Sequence, residues 1–430
     1  MRYDTGGRCP MNAPDSPFPL DAALNASADR VEAKVIAWRR DLHQNPELGN
    51  REFRTSKIVA DHLRSLGIEV KEKVAHTGVV GLLKGGLPGP VVALRADMDA
   101  LPVTEEVDVP FASHARATYN GQDVGVMHAC GHDMHTAILM GVAEVLAGMR
   151  EAIRGTVKLI FQPAEEGPPE GEKGGAQLMI EEQCMEHPKV GAIFGLHVTS
   201  THHVGRVGYR SGPLMASSDE LKIFVRGVQT HAAMPWRGVD PIVVAAQIVM
   251  GLQTIVSRQM NITREPSVVT VGVFQGGIRK NIIPDDVRME GTIRAFDEQQ
   301  RTDLHAHVKR ITEMIAAAGG AQAKVQIARG YDVVVNDPAL TGWSVPTLER
   351  VAGSENVGVM DKVCGAEDFS FYQKVVPGFF FRLGCIPPEL DLRKAVPNHS
   401  PRFFMDERCL GIGVRALSAL AIDWLGANAH

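Results

Sequence analysis

The stretch Thr156-Val157-Lys158-Leu159-Ile160-Phe161 runs directly into Gln162-Pro163-Ala164-Glu165-Glu166-Gly167. The first six residues have the apolar, β-branched character of a buried strand, and the Pro and Gly that follow predict a loop at its carboxyl end. Working outward from this stretch, we expect strands over 79–83, 91–94 and 192–196 and helices over 28–42, 56–66 and 135–149. Strands that alternate with helices at this interval predict an α/β sheet covered on both faces.

The pattern changes near Ser211-Gly212-Pro213. Beyond it we expect strands over 220–225, 267–274, 287–293 and 323–328 and helices over 240–257 and 298–317, which together indicate a small α+β domain. A chain of 430 residues exceeds the ~250–300 at which single cores stop growing, so two domains are expected. We predict a flexible segment over 1–27, a discontinuous catalytic domain of 28–212 and 329–430, and an inserted domain of 213–328.

The overall composition argues against several classes of partner. A formal net charge of −5 and a pI near 6.4 provide no basic surface for nucleic acid or an anionic membrane. No uninterrupted apolar run approaches the ~20 residues of a membrane helix. Six dispersed cysteines without a Cys-x-x-Cys pair argue against a disulfide scaffold. Because the N-terminus also lacks a secretory signal pattern, we expect a cytoplasmic protein with neither nucleic acid nor membrane as partner.

Candidate metal ligands occur in a fixed order along the chain. They comprise a thiol, three imidazoles and a carboxylate, namely Cys130, His132, Glu166, His197 and His399. This mixed set suits zinc, manganese, cobalt or nickel better than calcium. The candidates fall just past strand ends or at helix starts, where open α/β sheets bind their ligands.

Each of these residues also has an ordinary structural explanation. The Cys130-Gly-His132 pair can be a buried thiol beside a surface histidine, and His197 can be a satisfied core histidine. Asp97 follows a buried strand and can be a solvated strand end, or it can orient a ligand imidazole. His231, much further along the chain, can be a loop histidine. It is the ordered combination that favours a metal site.

The adjacent residues Glu165 and Glu166 indicate the chemistry. Two neighbouring carboxylates are usually an exposed acidic turn, but here an apolar strand precedes them and Gly-Pro-Pro follows. One carboxylate can then bind a metal while its neighbour takes a proton from the attacking water. A metal lowers the pKa of bound water towards ~7, so the pattern predicts metal-assisted hydrolysis.

Together these segments resemble the M20 metallopeptidase superfamily, and within it the N-acyl-amino-acid amidohydrolases that include hippurate hydrolases and plant indole-acetyl-amino-acid hydrolases. The resemblance runs from about residue 29 to the C-terminus and is carried by residues 39–48, 95–102, 128–135, 162–167, 195–197, 231–235, 281–285, 291–294 and 365–370. Peptidase relatives carry a His-x-Asp motif and a bridging aspartate, whereas this chain has Arg95-Ala-Asp97 and Cys130-Gly-His132. That departure matches the amidohydrolase branch and leaves open which ligands serve which metal.

The resemblance implies a phosphorylase/hydrolase-like mixed-sheet α/β catalytic domain with an inserted ferredoxin-like α+β lid, through which the protein forms a homodimer or a higher homo-oligomer. It implies two divalent metal ions, manganese, zinc, cobalt or nickel, bound by the five candidate ligands, with Glu165 as the general base. His231 would reach towards a metal site, that of the partner subunit, and stabilise the oxyanion. Asn281 and Arg294 would hold the carboxylate or carbonyl of the substrate.

We therefore predict a metal-dependent amidohydrolase that cleaves the amide bond of N-acyl-L-amino acids, hippurate-like or N-acetyl, to a carboxylic acid and a free amino acid. A metallo-dipeptidase or carboxypeptidase of the same superfamily is the alternative, since its hydrolysis differs chiefly on the acyl side. A non-enzymatic binding module would require loss of ligands or base, and all of them are present. A nucleotide-binding protein is disfavoured because the chain has no Gly-x-x-x-x-Gly-Lys-Ser/Thr loop.

Overall fold

The computed structural model describes residues 20–429, which form two compact units. The large unit contains the described residues up to Gly212, Asn336–Met360 and those from Phe371 onward, and the small unit contains Pro213–Val335 and Asp361–Ser370. The small unit therefore extends beyond the predicted 213–328 and takes up a second, later segment.

The helices run in chain order as α1 (Leu20–Gln44), α2 (Phe53–Ser65), α3 (His132–Gly148), α4 (Gly175–Glu181), α5 (Pro241–Thr254), α6 (Glu298–Ala318), α7 (Pro338–Ala352), α8 (Phe369–Gln373) and α9 (Leu410–Ala427). The predicted flexible segment is wrong for residues 20–27, which belong to α1. Residues 1–19 lie outside the described residues.

The strands are β1 (Glu69–Val74), β2 (Gly78–Lys84), β3 (Leu87–Asp97), β4 (Arg116–Tyr119), β5 (Gln122–Gly125), β6 (Arg154–Gln162), β7 (Ala192–His203), β8 (Val207–Tyr209), β9 (Gly212–Met215), β10 (Asp219–Arg226), β11 (Thr230–His231), β12 (Ser267–Gly276), β13 (Ile282–Ile283), β14 (Asp286–Ala295), β15 (Gln322–Arg329), β16 (Val334–Asn336), β17 (Val357–Val359) and β18 (Gly378–Ile386). The hairpin β4–β5 was not predicted, although its Asn120-Gly121 turn is a strong hairpin signal. Both turn residues have positive φ, 49° and 76°.

The large unit is built on an eight-stranded mixed sheet of order β1-β2-β6-β3-β7-β18-β8-β17. Its centre is parallel, because β3 pairs in parallel with β6 and β7, and β7 with β18. The last six residues of β3 are all buried, as expected for a strand covered on both faces. Helices α3 and α9 pack against β3 and α1 packs against both helices. The predicted α/β fold is confirmed.

A buried lysine shows how a charge fits into the predicted strand β6. Lys158 is 1% exposed, and burial lowers the pKa of its ammonium group. Its Nζ donates to the backbone carbonyls of Cys184, Glu186 and Pro188 at 2.9, 2.7 and 2.9 Å. A lysine has three N–H donors, and all of them are satisfied here. The ammonium thus ties the loop after α4 to the sheet.

The small unit has a four-stranded antiparallel sheet of order β12-β14-β10-β15. Its elements follow one another as β10-α5-β12-β14-α6-β15, with short β11 and β13 in the connections, which is the ferredoxin-like pattern. Burial alternates along β10, so one face of the sheet packs on α5 and α6. Asp240 and Asp297 cap the two helices by accepting backbone N–H bonds.

By length and composition alone, the helical segments Pro241–Gln259 and Glu407–Ala427 are apolar enough to cross a membrane. Within Glu407–Ala427, 83% of the relevant window is buried in the protein. A helix that is apolar all round is typical of a protein core as well as of a membrane. In Pro241–Gln259 only 33% of the corresponding window is buried, so this helical segment leaves apolar side chains exposed.

Candidate metal centre

The carboxyl ends of the parallel strands bring the candidate residues together in the large unit. β3 ends at Asp97 and β6 at Gln162, and these residues are register partners. His197 lies on β7 opposite Arg382 of β18, and β18 leads into the loop that carries His399. Open α/β sheets bind their ligands at this edge.

Cys130 lies at the middle of the ligand cluster. Its Sγ is 3.4 Å from Nε2 of His197 and 3.3 Å from Nε2 of His399, and the latter nitrogen is 3.0 Å from Oε1 of Glu166. The ligand atoms of Cys130, His132 and His197 lie within 4.8 Å of one another, as do those of Cys130, Glu166 and His399. The structure therefore gathers all five predicted ligands into two sets that share Cys130.

The start of α3 positions Cys130 and His132. Gly131 has φ 101°, in the region that favours glycine, and a Cβ there would lie 2.3 Å from Cγ2 of Val198. The amino end of the helix favours a negative charge on the preceding thiol. Burial nevertheless raises the pKa of Cys130 to about 12, so a bound cation is needed to hold it as the thiolate.

A buried ion network holds the first turn of α3. Asp133 Oδ2 lies 3.0 Å from Nε of Arg39 and 2.8 Å from Nδ1 of His43. Burial by itself would raise the pKa of Asp133, but the charges of Arg39 and His43 lower it well below its usual range. Nε2 of His43 meets Oε1 of Glu105 at 3.0 Å. The helix that carries His132 is therefore anchored to α1.

His132 passes a direct test for a metal ligand. Its Nδ1 donates to the backbone carbonyl of Asp99 at 2.9 Å and lies 3.2 Å from Oδ1 of the same residue, which leaves the lone pair on Nε2. Within residues 20–429 that buried Nε2 has no hydrogen-bond partner. An unpaired buried nitrogen costs free energy, and a divalent metal ion would satisfy it.

His197 and His399 complete the imidazole set. Nδ1 of His197 donates to the carbonyl of Val198 at 2.6 Å, so its Nε2 faces Cys130 with a lone pair. Burial, reinforced by the charge of Arg382, lowers the pKa of His197 well below its usual range, which keeps the ring in the neutral form that binds metal. His399 has φ 70°, and its backbone N–H donates to the carbonyl of Ala129 at 2.8 Å.

The turn that carries Glu165 and Glu166 is held from two sides. Ala164 has φ 51°, and its N–H donates to Oε1 of Glu52 at 2.9 Å. The N–H of Glu166 donates to Oδ2 of Asp99 at 3.0 Å. Glu165 is 5% exposed, and its Oε2 lies 3.9 Å from Nε2 of His132. That separation is too long for a hydrogen bond and leaves Glu165 beside the ligand cluster, where a proton acceptor for water is needed.

The structure places Asp97 next to His135. Oδ1 of Asp97 is 2.6 Å from Nδ1 of His135, and Nε2 of His135 accepts the N–H of Val198 at 2.9 Å. Oδ1 of Asp97 is 3.9 Å from Nε2 of His132, so the carboxylate that orients the candidate ligand His132 is that of Asp99. Sequence reasoning did not assign Asp99 or Glu52 to the site. For Asp99 the signal was a second aspartate two residues past a strand end.

The remaining predicted site residues lie in the small unit, whereas the ligand cluster lies in the large unit. β11 pairs with β13, and the N–H of Ala232 donates to the carbonyl of Asn281 at 3.1 Å, so His231 and Asn281 share one region. Nδ1 of His231 accepts the N–H of Ala233 at 3.0 Å, which leaves the ring proton on Nε2. Arg294 lies on β14 opposite Val268 of β12, and burial lowers its pKa.

The family model for peptidase family M20/M25/M40 matches residues 93–423. This range includes every candidate ligand and Glu165. The chain belongs to the M20 peptidase family. Its similarity to M20 hydrolases and to a dinuclear M20 structure shows that the protein is a metal-dependent amidohydrolase.

Three M20 relatives are similar over nearly the whole chain. Thermostable carboxypeptidase 2 of Saccharolobus solfataricus is 41% identical over 403 residues, 93% of this chain and 98% of the relative. The N-acetylcysteine deacetylase of Bacillus subtilis is 38% identical over 397 residues, with 92% and 98% covered. The IAA-amino acid hydrolase ILR1-like 4 of Arabidopsis thaliana is 39% identical over 396 residues, with 91% and 86% covered.

A solved structure supports a two-metal centre in this fold. The Bacillus subtilis YXEP protein, described as a dinuclear metal-binding peptidase of the M20 family, is 35% identical with a TM-score of 0.76, covering 93% of this chain and 99% of that one. The two ligand sets around Cys130 fit two divalent metal ions.

Proposed function

We propose that the protein hydrolyses the amide bond of N-acyl-L-amino acids and releases a carboxylic acid and a free amino acid. One observation carries the proposal: a buried carboxylate, Glu165, lies 3.9 Å from the unpaired Nε2 of His132 at the edge of the ligand cluster. Relatives named as a deacetylase and as an IAA-amino acid hydrolase support this substrate class.

We assign the candidate ligands to two metal ions. His132 and His197 would serve one ion, Glu166 and His399 would serve the other, and Cys130 belongs to both sets because its Sγ lies near both groups. When bound, the metals supply Lewis acidity that polarises the amide carbonyl and lowers the pKa of water. Manganese, zinc, cobalt and nickel all accept this donor set.

The residues of the chain handle the protons and the substrate charge. Glu165 accepts the proton of the attacking water and passes it to the departing amine, so that the C–N bond breaks and the amine leaves neutral. With its proton on Nε2, His231 has the tautomer of a hydrogen-bond donor for the oxyanion. In this proposal Asn281 and Arg294 hold the carboxylate or carbonyl of the substrate.

A carboxypeptidase or dipeptidase activity is the second candidate. It is favoured by the 41% identity to a thermostable carboxypeptidase over 93% of this chain. A peptide and an N-acyl amino acid present the same amide to the same ligands, and they differ in the group on the acyl side. A peptide substrate adds a free amine or a longer chain on that side.

The two candidates are separated by a substrate panel. Metal-stripped protein is refilled with manganese, zinc, cobalt or nickel and assayed with N-acetyl, N-benzoyl, N-succinyl and indole-acetyl amino acids and with dipeptides. We expect amino acid release from N-acyl substrates. Release from dipeptides alone would favour the peptidase, and no release with any metal would refute both.

We also propose a cytoplasmic homodimer that pairs through the small unit. Helix α5 exposes Val243 and Met250 at 53% and 71%, and strand β12 exposes Phe274 at 42%. A surface of this kind is typical of an interface. The five cysteines that the structure describes are free thiols, which fits a reducing compartment. Light scattering of Met250→Glu should show loss of the dimer, and a wild-type monomer would contradict the proposal.

A further inference from the structure

We propose that a small pocket beside Glu166, closed by the turn of the β4–β5 hairpin, receives the acyl group of the substrate and limits it to short acyl chains. The inference rests on the proposed function and adds the substrate class. The pocket has a volume of about 110 Å³ and lies wholly in the large unit. It shares Asp99 and Glu166 with the candidate metal centre, so a group inside it would lie on the Glu166 side of the ligand cluster.

The charges of the pocket indicate which side of the substrate it takes. Among the described residues that line the pocket, Asp99 and Glu166 are acidic and Arg51 is the one basic residue. Nη1 of Arg51 already donates to Oε2 of Glu172 at 3.1 Å and to the carbonyl of Asn50 at 2.9 Å. Inside this pocket, the free carboxylate of an N-acyl amino acid would be repelled by two negative charges and would find no unpaired cation to bind. The neutral acyl side fits instead.

The volume restricts the acyl group. An apolar cavity of about 150 Å³ is enough to hold benzene, whereas this pocket offers about 110 Å³, so we expect a benzoyl or indole ring to fit less well than a short acyl chain. Leu48, Leu101 and Pro102 contribute apolar surface. An acetyl group or a short branched acyl chain matches both the size and the polarity.

Tyr119 is one of the residues that line this pocket. It is the last residue of β4 and pairs with Gln122 across the Asn120-Gly121 turn, whose two positive φ values define a rigid two-residue turn. At the base of the hairpin, Ala115 and Ala117 pack on a buried cluster that includes Leu48. The packed base of the hairpin places Tyr119 at the pocket, where its ring limits the space for the acyl group in this proposal.

The test compares one amino acid carrying acetyl, isobutyryl, benzoyl or indole-acetyl groups. The wild type should have a higher kcat/KM for acetyl than for benzoyl. Tyr119→Ala should raise the benzoyl-to-acetyl ratio at least about tenfold, in the range expected when a pocket changes by several carbon atoms. Tyr119→Phe keeps the ring and should keep the ratio, and Gln122→Ala, in the same hairpin but outside the pocket, is the matched control.

Binding to the Glu165→Gln variant separates this inference from the proposed function. Calorimetry with the same ligands should show the same size preference and the same shift with Tyr119→Ala, because binding does not need the base. A wild type that prefers benzoyl, or a folded Tyr119→Ala protein with unchanged ratio and binding, would overturn the pocket assignment. A Tyr119-dependent binding preference without hydrolysis of any N-acyl amino acid would support the pocket and refute the proposed function.

Discussion

The carboxylate of Asp99 accepts the backbone N–H of Glu166 at 3.0 Å. The same residue accepts Nδ1–H of His132 through its backbone carbonyl at 2.9 Å. One aspartate that is not itself a candidate ligand therefore fixes two that are. Groups that orient metal ligands in this way typically influence affinity by ~10–100-fold.

Replacement of Asp99 should weaken metal binding. The carboxylate oxygens of Asp99 face the N–H of Glu166 and Nδ1 of His132. Asp99→Asn replaces one of these oxygens with an N–H donor. We therefore expect the affinity for zinc or manganese to fall about 10- to 100-fold. The measurement is a titration of metal-stripped protein against a competing chelator. Asp123→Asn removes an exposed carboxylate of the hairpin that pairs with Arg116, and it is the control. Equal affinities in the two variants would show that the carboxylate of Asp99 does not position the ligands.

Glu165→Gln should separate catalysis from metal binding. The amide cannot accept the proton of the attacking water, so kcat should fall by about 10²–10⁴, while Glu166 and the other ligands still bind metal. Metal content is measured by mass spectrometry of the purified variant alongside turnover. Unchanged turnover would remove Glu165 as the base, and loss of metal would make it a ligand.

Cys130→Ser should impair both halves of the metal centre, because its Sγ belongs to both ligand sets. A hydroxyl is a much weaker ligand than a thiolate, so we expect fewer than two metal ions per chain under conditions that saturate the wild type. Cys364→Ser changes an exposed thiol of the small unit and should leave the stoichiometry unchanged. Full occupancy in Cys130→Ser would rule out the thiolate as an essential ligand.

Gly131→Ala should disturb the start of α3. The new Cβ would require an alanine at φ 101° and would approach Cγ2 of Val198 to 2.3 Å, so the metal-free protein should lose roughly 1–3 kcal/mol of stability and bind metal more weakly. Gly148→Ala, at the other end of the same helix, meets nothing within 4 Å. Thermal unfolding and metal titration of both variants provide the comparison, and similar behaviour would contradict the expectation.

Asp219 should stabilise the small unit in a pH-dependent way. It accepts Nε of Arg301 at 3.0 Å and lies 2.6 Å from Nε2 of His305. Burial by itself would raise the pKa of Asp219, but hydrogen bonds from His305 and Arg301 and the charge of Arg301 lower it to about 2. Since an unfolded aspartate titrates near ~3.9, the contribution is complete above about pH 4 and is lost as the pH falls through about 2.

The variant Asp219→Asn leaves the buried Arg301 without its main partner. We expect opening of the small unit to become easier by about 3–5 kcal/mol at pH 7, and the difference from wild type should shrink between about pH 4 and pH 2. Hydrogen exchange of the β10 and α6 amides measures this opening unit by unit. Asp303→Asn, on the same helix, is the control. A difference that is independent of pH would contradict the ionic explanation.

Much of the fold was predictable because its signals are local. The apolar stretch over Thr156–Phe161 became part of β6, and the alternation across residues 220–225 became β10. The hairpin β4–β5 was not predicted, although the dipeptide Asn120-Gly121 is typical of a two-residue hairpin turn. The environment of the Lys158 ammonium was not predictable from local signals. The three carbonyls that accept its hydrogen bonds belong to a distant loop, whose position depends on the tertiary structure.

The sequence by itself determined the types of ligand, their order and the strand ends near which they occur, because residue chemistry and backbone periodicity are local properties. Only the tertiary structure decided that Cys130 lies between His197 and His399, that Asp99 rather than Asp97 orients His132, and that Tyr119 closes a pocket beside Glu166. These relationships join segments that are far apart in the chain. Their distances depend on how β3, β6, β7 and α3 pack together, which local sequence patterns do not encode.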